Sequence, residues 1–404
     1  MNATASVASL QQTSKAISAP SAAAPLRIAL IASSLKLAGA EKQFVYFAHA
    51  LFNFGVGAKV FYMSNGDYYE AVLRAMGISS EQIYSPNRPL RRLARLINAV
   101  RKFRPQIVVA SQFHDLRYAA LVGRFCRAMI VGGVRSDGFY ELHESGLHRY
   151  WMLPLCHGLV ANSSRARKNL LSRGINSPSI EVLSNVLDLQ DFDARAELPS
   201  DYLLPKHRVV AITVGRLNRY KRYDRFLDAL SLARRREPAL FGAIVGADQG
   251  AKAALEAQAK FLSLTPEHLV FLPESERIPA LLSQAHLLVL CSDFEGFPNV
   301  ILEAMAARLP VISTDAGDAA LIVQEQKTGF VVPGDEIATL AERLVRLAQS
   351  AELRRKMGEA GRQRVEDEFQ CVGLAPRLLS ILQKFARRHQ KPSWTELLEN
   401  TLYA

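Results

Sequence analysis

Two doubly wound α/β domains in series are the architecture this sequence predicts, and three observations carry the prediction. Short apolar runs alternate with segments of helical periodicity, the pattern of parallel strands covered by helices. The alternation stops in a charged, proline-containing stretch and then restarts. At 404 residues, the chain is also longer than one ordinary domain and suits two.

The first domain is expected over residues 26–188. It opens on a strand at 26–33, followed by a polar, glycine-containing loop at 35–41 and a helix at 43–51. A strand at 58–63, helices near 70–76 and at 90–103, and a strand at 107–110 continue the alternation. A helix at 118–128, a strand at 129–134, and strands at 158–161 and 180–183 around a helix at 164–173 complete it. Residues 189–207 carry charge, two prolines and little periodicity, and are read as a linker. The second domain, 208–372, restarts with a strand at 208–214, a helix at 224–235 and a strand at 240–245. Four more short apolar runs follow at 269–272, 287–290, 310–313 and 329–332. In such sheets, ligands bind outside the carboxyl ends of the strands. The first 25 residues, rich in Ala and Ser with one Lys, are read as a disordered leader and not as a secretory signal.

Composition narrows the function. With 49% apolar residues the chain can fill two cores, yet it has no apolar run of about 18 residues that would span a membrane. Four scattered cysteines without metal-site spacing are expected to be reduced thiols in a cytoplasmic protein. The net charge of +12 points to an anionic partner. No zinc spacing, RNA-binding aromatic signature or separate basic tail favours nucleic acid, which leaves phosphate groups and acidic membrane surfaces. The segment 88–104 combines an apolar side (Leu90, Leu93, Leu96, Ile97, Val100, Phe103) with Arg88, Arg91, Arg92, Arg95, Arg101, Lys102 and Arg104. It reads as a helix packed on the core with a basic outer face, and that face suits an anionic membrane.

The densest chemistry lies in Ser-Asp-Phe-Glu-Gly-Phe-Pro-Asn-Val-Ile-Leu-Glu-Ala-Met-Ala, residues 292–306. A buried strand breaks at a loop holding Glu295, and a helix is expected to start near Pro298. Its first amides, at Asn299 and Val300, would attract phosphate. Glu303 stands among apolar neighbours, a costly setting unless something hydrogen-bonds it, and sugar hydroxyls are one candidate. The second domain's first strand ends in Val-Gly-Arg-Leu-Asn-Arg-Tyr-Lys-Arg, residues 214–222. Gly215 admits a ligand to the backbone, while Arg216 and Lys221 sit where phosphate would be held. Other motifs fail: Gly55-Val56-Gly57 lies in the wrong order for a dinucleotide fingerprint, and residues 246–252 fall short of a P-loop. Asp191-Phe192-Asp193 has the spacing of a metal-binding pair but lies in the linker and is read as solvated.

With these residues the chain resembles the retaining glycosyltransferases of GT-B fold in glycosyltransferase family four. Glu295 and Glu303, separated by seven residues, match the family's paired glutamates, and Val214 to Lys221 match its Val-Gly-Arg-Leu…Lys element. Gly39-Ala40-Glu41 match its first-domain loop, and Thr328 to Pro333 its Thr-Gly-Phe-Val-Val-Pro segment. The resemblance implies two Rossmann-like domains facing across a cleft, with the final segment, 373–404, a helix crossing back to the first domain. It implies a nucleotide-sugar donor, with Glu303 at the ribose and Glu295 at the sugar. Arg216, Lys221 and the amides of Phe297, Asn299 and Val300 would sit at the diphosphate, and Gly39 would approach it from the first domain. With these cations and amides, neither metal nor cofactor is required. Two departures stand out. Ala38 replaces the usual first glycine of the loop, and the strand that often leads to a histidine here leads to Arg135-Ser136-Asp137. Arg135 or Asp137 would take an acceptor-side or sugar-side role, or none, and His114 would face the cleft or be structural. The implied acceptor is a glycan or lipid-linked oligosaccharide of surface polysaccharide or lipopolysaccharide. A nucleotide-sugar epimerase and a non-catalytic nucleotide-sugar-binding protein are the alternatives.

Overall fold

The computed structural model describes residues 26–65, 67–176 and 178–403; the expected leader at 1–25 lies outside them. The chain divides into two compact units, one running to Val186 and resuming at Cys371, the other Leu187–Gln370. In the first unit, β1 (Arg27–Ala32), β2 (Gly57–Tyr62), β3 (Ser80–Gln82), β4 (Ile107–Ala110), β5 (Met129–Val134), β6 (Gly158–Ala161) and β7 (Ser179–Val182) form one parallel sheet. Their order is β3-β2-β1-β4-β5-β6-β7. In the second, β8 (Val209–Val214), β9 (Leu240–Val245), β10 (Leu269–Leu272), β11 (Leu287–Leu290), β12 (Val311–Thr314) and β13 (Gly329–Val332) lie parallel in the order β10-β9-β8-β11-β12-β13.

Both orders reverse direction once, between β1 and β4 and between β8 and β11. Loops leaving those neighbours diverge to opposite faces and open a crevice at the strands' carboxyl ends. The strands read as continuous apolar runs because both faces are covered. On β1, Ile28, Leu30 and Ala32 enter one core cluster while Ala29 and Ile31 enter the other; on β8, Val210 and Ile212 oppose Ala211 in the same way.

Several elements differ from the sequence expectation. The first helix is Gly39–Asn53, so the end of the expected polar loop is already its first turn. Ala38 precedes it at φ −151 and ψ 163, extended backbone that any residue adopts, so the missing glycine strains nothing. Helices at Phe139–Ser145 and Arg149–Leu155 fill a stretch where none was expected. The supposed linker begins with the helix Leu189–Ala196, where Asp188 Oδ1 accepts the Asp191 N–H at 3.1 Å. Leu189, Phe192 and Leu204 all join the second unit's core. Of the Asp191/Asp193 pair expected to be solvated, only Asp193 reaches solvent, its side chain 48% exposed. Asp191 is buried beside Arg195 at 3.5 Å, and Arg362 donates to both oxygens of Asp193 at 2.6 and 2.8 Å. Pro298 is the residue before the helix Asn299–Ala306, not its first member. In the helix Pro89–Phe103, Leu96 and Val100 are fully buried, but Leu90 is 82% exposed.

The C-terminal segment is two helices, Leu374–Arg388 and Pro392–Leu402. Leu378, Leu379, Leu382 and Phe385 sink into the first unit's core. Gly158 lets Phe385 approach, since a Cβ there would stand 2.3 Å from its ring. His157 seals this seam, its ring edge-on to His389 and Trp394, with its Nδ1 accepting the Ile130 N–H at 3.0 Å. Burial, and then the charges of His389 and Lys391, push its pKa down to about 4. A depressed histidine pKa means the unfolded chain binds the proton first, so stability falls as pH drops from about 6.5 toward about 4. The melting temperature should fall across that window, and by less in His157→Gln; equal slopes would refute the assignment.

Candidate functional site

The second unit's crevice is built by the loops leaving β8 and β11. After β8, residues Arg219–Lys221 form a tight turn capped by Asn218, whose side-chain oxygen accepts the Tyr220 and Lys221 amides. The β11 loop is tied to it three times. Asp293 N–H donates to Tyr220 O at 2.9 Å. Arg222 donates to Asp293 Oδ2 at 3.2 Å. Lys221 Nζ lies 2.6 Å from Glu295 Oε1. Arg225 adds a second cation to Asp293 at 2.6 Å and also donates to Cys291 O.

Glu295 is the centre of this arrangement. Its side chain is only 14% exposed. Oε1 accepts both Lys221 Nζ and, at 2.7 Å, Ser292 Oγ. Among the described residues, Oε2 accepts nothing. Gly215 carries the β8 loop past Lys221: a Cβ there would meet Tyr223 Oη at 2.9 Å and Lys221 Cε at 3.3 Å. Gly246, at the end of the neighbouring β9, lies against Gly215 O, which a Cβ would approach to 2.0 Å. Arg216 is exposed, and its side chain makes no hydrogen bond or ion pair among the described residues.

The helix Asn299–Ala306 follows directly. Ile301, Leu302, Ala304, Met305 and Ala306 are buried, whereas Asn299, Val300, Glu303 and Ala307 are only half-covered. These four recur at helical spacing and mark one open side. Glu303 thus stands one turn from Asn299 on the side that also carries the helix start. The Phe297 ring is buried against Phe369 at 5.8 Å, which anchors the turn.

The loop carrying Glu295 leans on Gly317. That residue has φ +60, and a Cβ would stand 2.2 Å from Gly296 O and 2.6 Å from Glu295 O. Gly317→Ala must both adopt a left-handed backbone and push this loop away. We expect a loss of about 1–3 kcal/mol in unfolding free energy and a larger fractional loss of activity than the melting shift alone explains.

In the first unit, the corresponding crevice lies between β1 and β4. Gly39 is the first residue of its helix. Glu41 is buried and accepts Ser34 Oγ at 2.9 Å and Gln112 Nε2 at 3.2 Å. His114 Nε2 bonds Ser33 Oγ at 2.7 Å and lies 3.4 Å from the wholly buried Asp115, whose pKa burial raises. Asp115 also accepts the Ser33 amide. Arg135 is half-buried: its guanidinium lies 4.7 Å from the Phe47 ring centroid, and its Nε donates to Ser111 O at 3.2 Å. Desolvation pulls its pKa down to about 10. Its Nη1 has no hydrogen-bond partner among the described residues. Asp137 Oδ1 accepts the Tyr140 N–H at 2.8 Å at the start of a helix.

Sequence reasoning missed Ser292, Asp293, Arg222 and Arg225 around Glu295. It also missed Glu141, which accepts the amides of Arg135, Ser136 and Gly138. A glutamate three residues after a helix-capping position was the available signal there.

Two family models match the chain: Glycosyltransferase Family 4 over residues 37–191 and Glycosyl transferases group 1 over residues 194–364. An N-acetyl-alpha-D-glucosaminyl L-malate synthase of Bacillus anthracis is 32% identical over 26% of this chain and only 27% of its own length. A GDP-mannose-dependent alpha-(1-6)-phosphatidylinositol monomannoside mannosyltransferase of Mycobacterium tuberculosis is 29% identical over 64% of this chain and 71% of its own. Among solved structures, Anabaena HepE in complex with UDP and glucose superposes with a TM-score of 0.77 at 19% identity, over 89% of this chain and all of that one. That likeness, and others of its kind, place the two α/β units in the GT-B fold.

Proposed function

The chain belongs to the family-four, group 1 glycosyltransferases, and from that premise we propose that it moves a sugar from a nucleoside diphosphate to a glycan or lipid-linked acceptor, with retention of configuration, in the assembly of surface polysaccharide or lipopolysaccharide. The observation that carries the reading is the contact of Lys221 with Glu295 at the β8/β11 crevice, beside an open helix start. Relatives named for GDP-mannose and a neighbour holding UDP and glucose support a nucleotide-sugar donor.

In this reading Glu303 accepts the ribose hydroxyls, and Glu295 Oε2 accepts a hydroxyl of the donor sugar. Arg216, Lys221 and the amides at Asn299 and Val300 receive the diphosphate. As the glycosidic bond breaks, negative charge grows on the departing phosphate, so cations and amides fixed there stabilise the transition state more than the ground state. These groups carry the charge without a metal or cofactor. Oε1 is engaged by Lys221 and Ser292; with Oε2 given to a sugar hydroxyl, Glu295 orients the donor, and the reading takes same-face attack, with the leaving phosphate taking the acceptor proton, in place of a covalent intermediate on Glu295. The β1/β4 crevice, with His114 and the unsatisfied Nη1 of Arg135, is assigned to the acceptor.

A panel of nucleotide sugars tests the donor assignment. One of them should raise the melting temperature of the wild type but not of Glu303→Ala, and should release nucleoside diphosphate when acceptor is supplied. Clean conversion to an epimer without released diphosphate would overturn the proposal in favour of an epimerase.

The location proposed is cytoplasmic, on an anionic membrane surface through residues 88–104. Arg91, Arg95, Arg101 and Lys102 are exposed there beside Leu90. Among the described residues no helix is long and apolar enough to cross a membrane. Binding to anionic vesicles should weaken as salt rises; salt-independent binding, or none, would count against this surface.

A further inference from the structure

We propose that the first unit carries a phosphoryl-binding pocket at the amino ends of β1 and β4, separate from the donor site and independent of its assignment. The pocket, about 320 Å3 in volume, is lined by Arg27, Arg101 and Arg104, with Gln106, Phe125 and Cys126 completing the wall. Arg27 opens β1, and Gln106 directly precedes β4. Gly39, His114 and Arg135 follow the opposite, carboxyl ends of the same sheet.

Three features make this a site and not a stretch of basic surface. The first is convergence from separate elements. A basic residue in the last turn of a helix answers the helix dipole, which accounts for Arg101 in the helix Pro89–Phe103. It does not account for Arg27, which reaches the same pocket from a strand.

The second is a fixed floor. Arg27 Nε donates to Arg104 O at 2.9 Å, and the Arg27 amide donates to Gln106 Oε1 at 2.8 Å. The Gln106 amide returns to Arg27 O at 3.0 Å, and Gln106 O accepts Met129 N–H at 2.9 Å. Arg104 itself is held at φ +53, closing the helix through bonds to the Val100 and Arg101 carbonyls.

The third is unbalanced charge. No carboxylate lines the pocket, and none of the three arginines forms an ion pair among the described residues. Three guanidinium groups gathered without an acid repel one another, and a bound anion relieves that repulsion. Guanidinium forks match phosphoryl oxygens in pairs. Phe125, 60% exposed, supplies an apolar wall for whatever the phosphoryl group is attached to. The volume lies at the small end of ligand pockets, which run from about 300 Å3 upward. The phosphoryl group belongs either to a soluble phosphorylated molecule or to a lipid headgroup.

Cys126 lines the pocket and reports on it locally. The full chain is alkylated with a thiol reagent in inorganic pyrophosphate, or with phosphatidylglycerol or phosphatidylcholine vesicles, and the Cys126 peptide is followed by mass spectrometry. Occupancy at ten times the dissociation constant slows the reaction about tenfold. Pyrophosphate protection identifies a soluble ligand, and protection by phosphatidylglycerol but not phosphatidylcholine or pyrophosphate identifies a headgroup. Protection should vanish in Arg101→Gln/Arg104→Asn, where Asn tolerates the left-handed backbone, and weaken in Arg101→Gln alone. It should persist in Lys221→Ala, so failure of the donor assignment leaves this test unaffected. The proposal is overturned if neither ligand slows Cys126 or if chloride at matched ionic strength does so equally. It is also overturned if the arginine variants remain protected or if Lys221→Ala abolishes protection.

Discussion

Replacing Lys221 or Glu295 by alanine is expected to lower kcat/KM about 10²–10³-fold each, the usual cost of removing one group aimed at developing charge. The double variant should be little worse than the weaker single. The expectation follows from geometry: Lys221 Nζ and Glu295 Oε1 are 2.6 Å apart, with both side chains largely covered, at 20% and 14% exposure. Removing one leaves the other's charge half-buried and unpaired, which misplaces it as well as depriving it of a partner. Each single variant therefore disables both roles, and their effects do not add. Lys221→Arg separates charge from shape. It keeps the cation but substitutes a planar fork for a point donor, and should fall between wild type and Lys221→Ala. Additive losses, or Lys221→Ala with unaltered kcat, would remove the pair from the chemistry. Melting temperatures of the singles distinguish an unfolded variant from an inactive one.

Why this pair was legible only in part is a matter of range. Each member stood out locally, Lys221 beyond a strand and Glu295 in a loop before a helix. Their contact spans 74 positions in sequence and exists because β8 and β11 are neighbours at the point where strand order reverses. The strands themselves were readable because parallel strands covered on both faces are uninterrupted apolar runs. Their positions came within a residue or so, as at β11 (Leu287–Leu290) and β13 (Gly329–Val332), except for the three-residue edge strand β3 (Ser80–Gln82), which was not expected at all.

Short helices were less readable. Leu189–Ala196 and Arg149–Leu155 span about two turns, too few for a 3.6-residue period to declare itself, and the second contains Pro154. The first also buries Asp191, read as solvated, while Asp193 pairs with Arg362, 169 positions away. Ser292 and Asp293 escaped notice for a related reason. Their importance lies in what they hold, namely Oε1 of Glu295 and the guanidinium groups of Arg222 and Arg225, and polar residues in a loop give no local sign of such partners.

Glu303→Gln should act on binding and not on chemistry: donor KM is expected to rise about 10–100-fold with kcat changed by no more than a few-fold. Glu303 is placed on the half-covered side of an otherwise buried helix, one turn from Asn299. A ribose there would give hydroxyl donors to a carboxylate, bonds worth about 1.5–3 kcal/mol because the acceptor is ionised. The amide of glutamine keeps the shape and one acceptor oxygen but loses the charge, so most of that free energy is forfeited. In the proposed orientation the ribose lies away from the bond that breaks, so its contacts would be as strong before the transition state as in it. A loss of uniform binding raises KM and leaves kcat. The complementary measurement is nucleoside diphosphate affinity, which should fall by the same factor in Glu303→Gln and hardly at all in Glu295→Gln if Glu295 faces the sugar as proposed. The opposite split, with kcat reduced by Glu303→Gln and nucleotide affinity reduced by Glu295→Gln, would reverse the orientation of the donor along this helix.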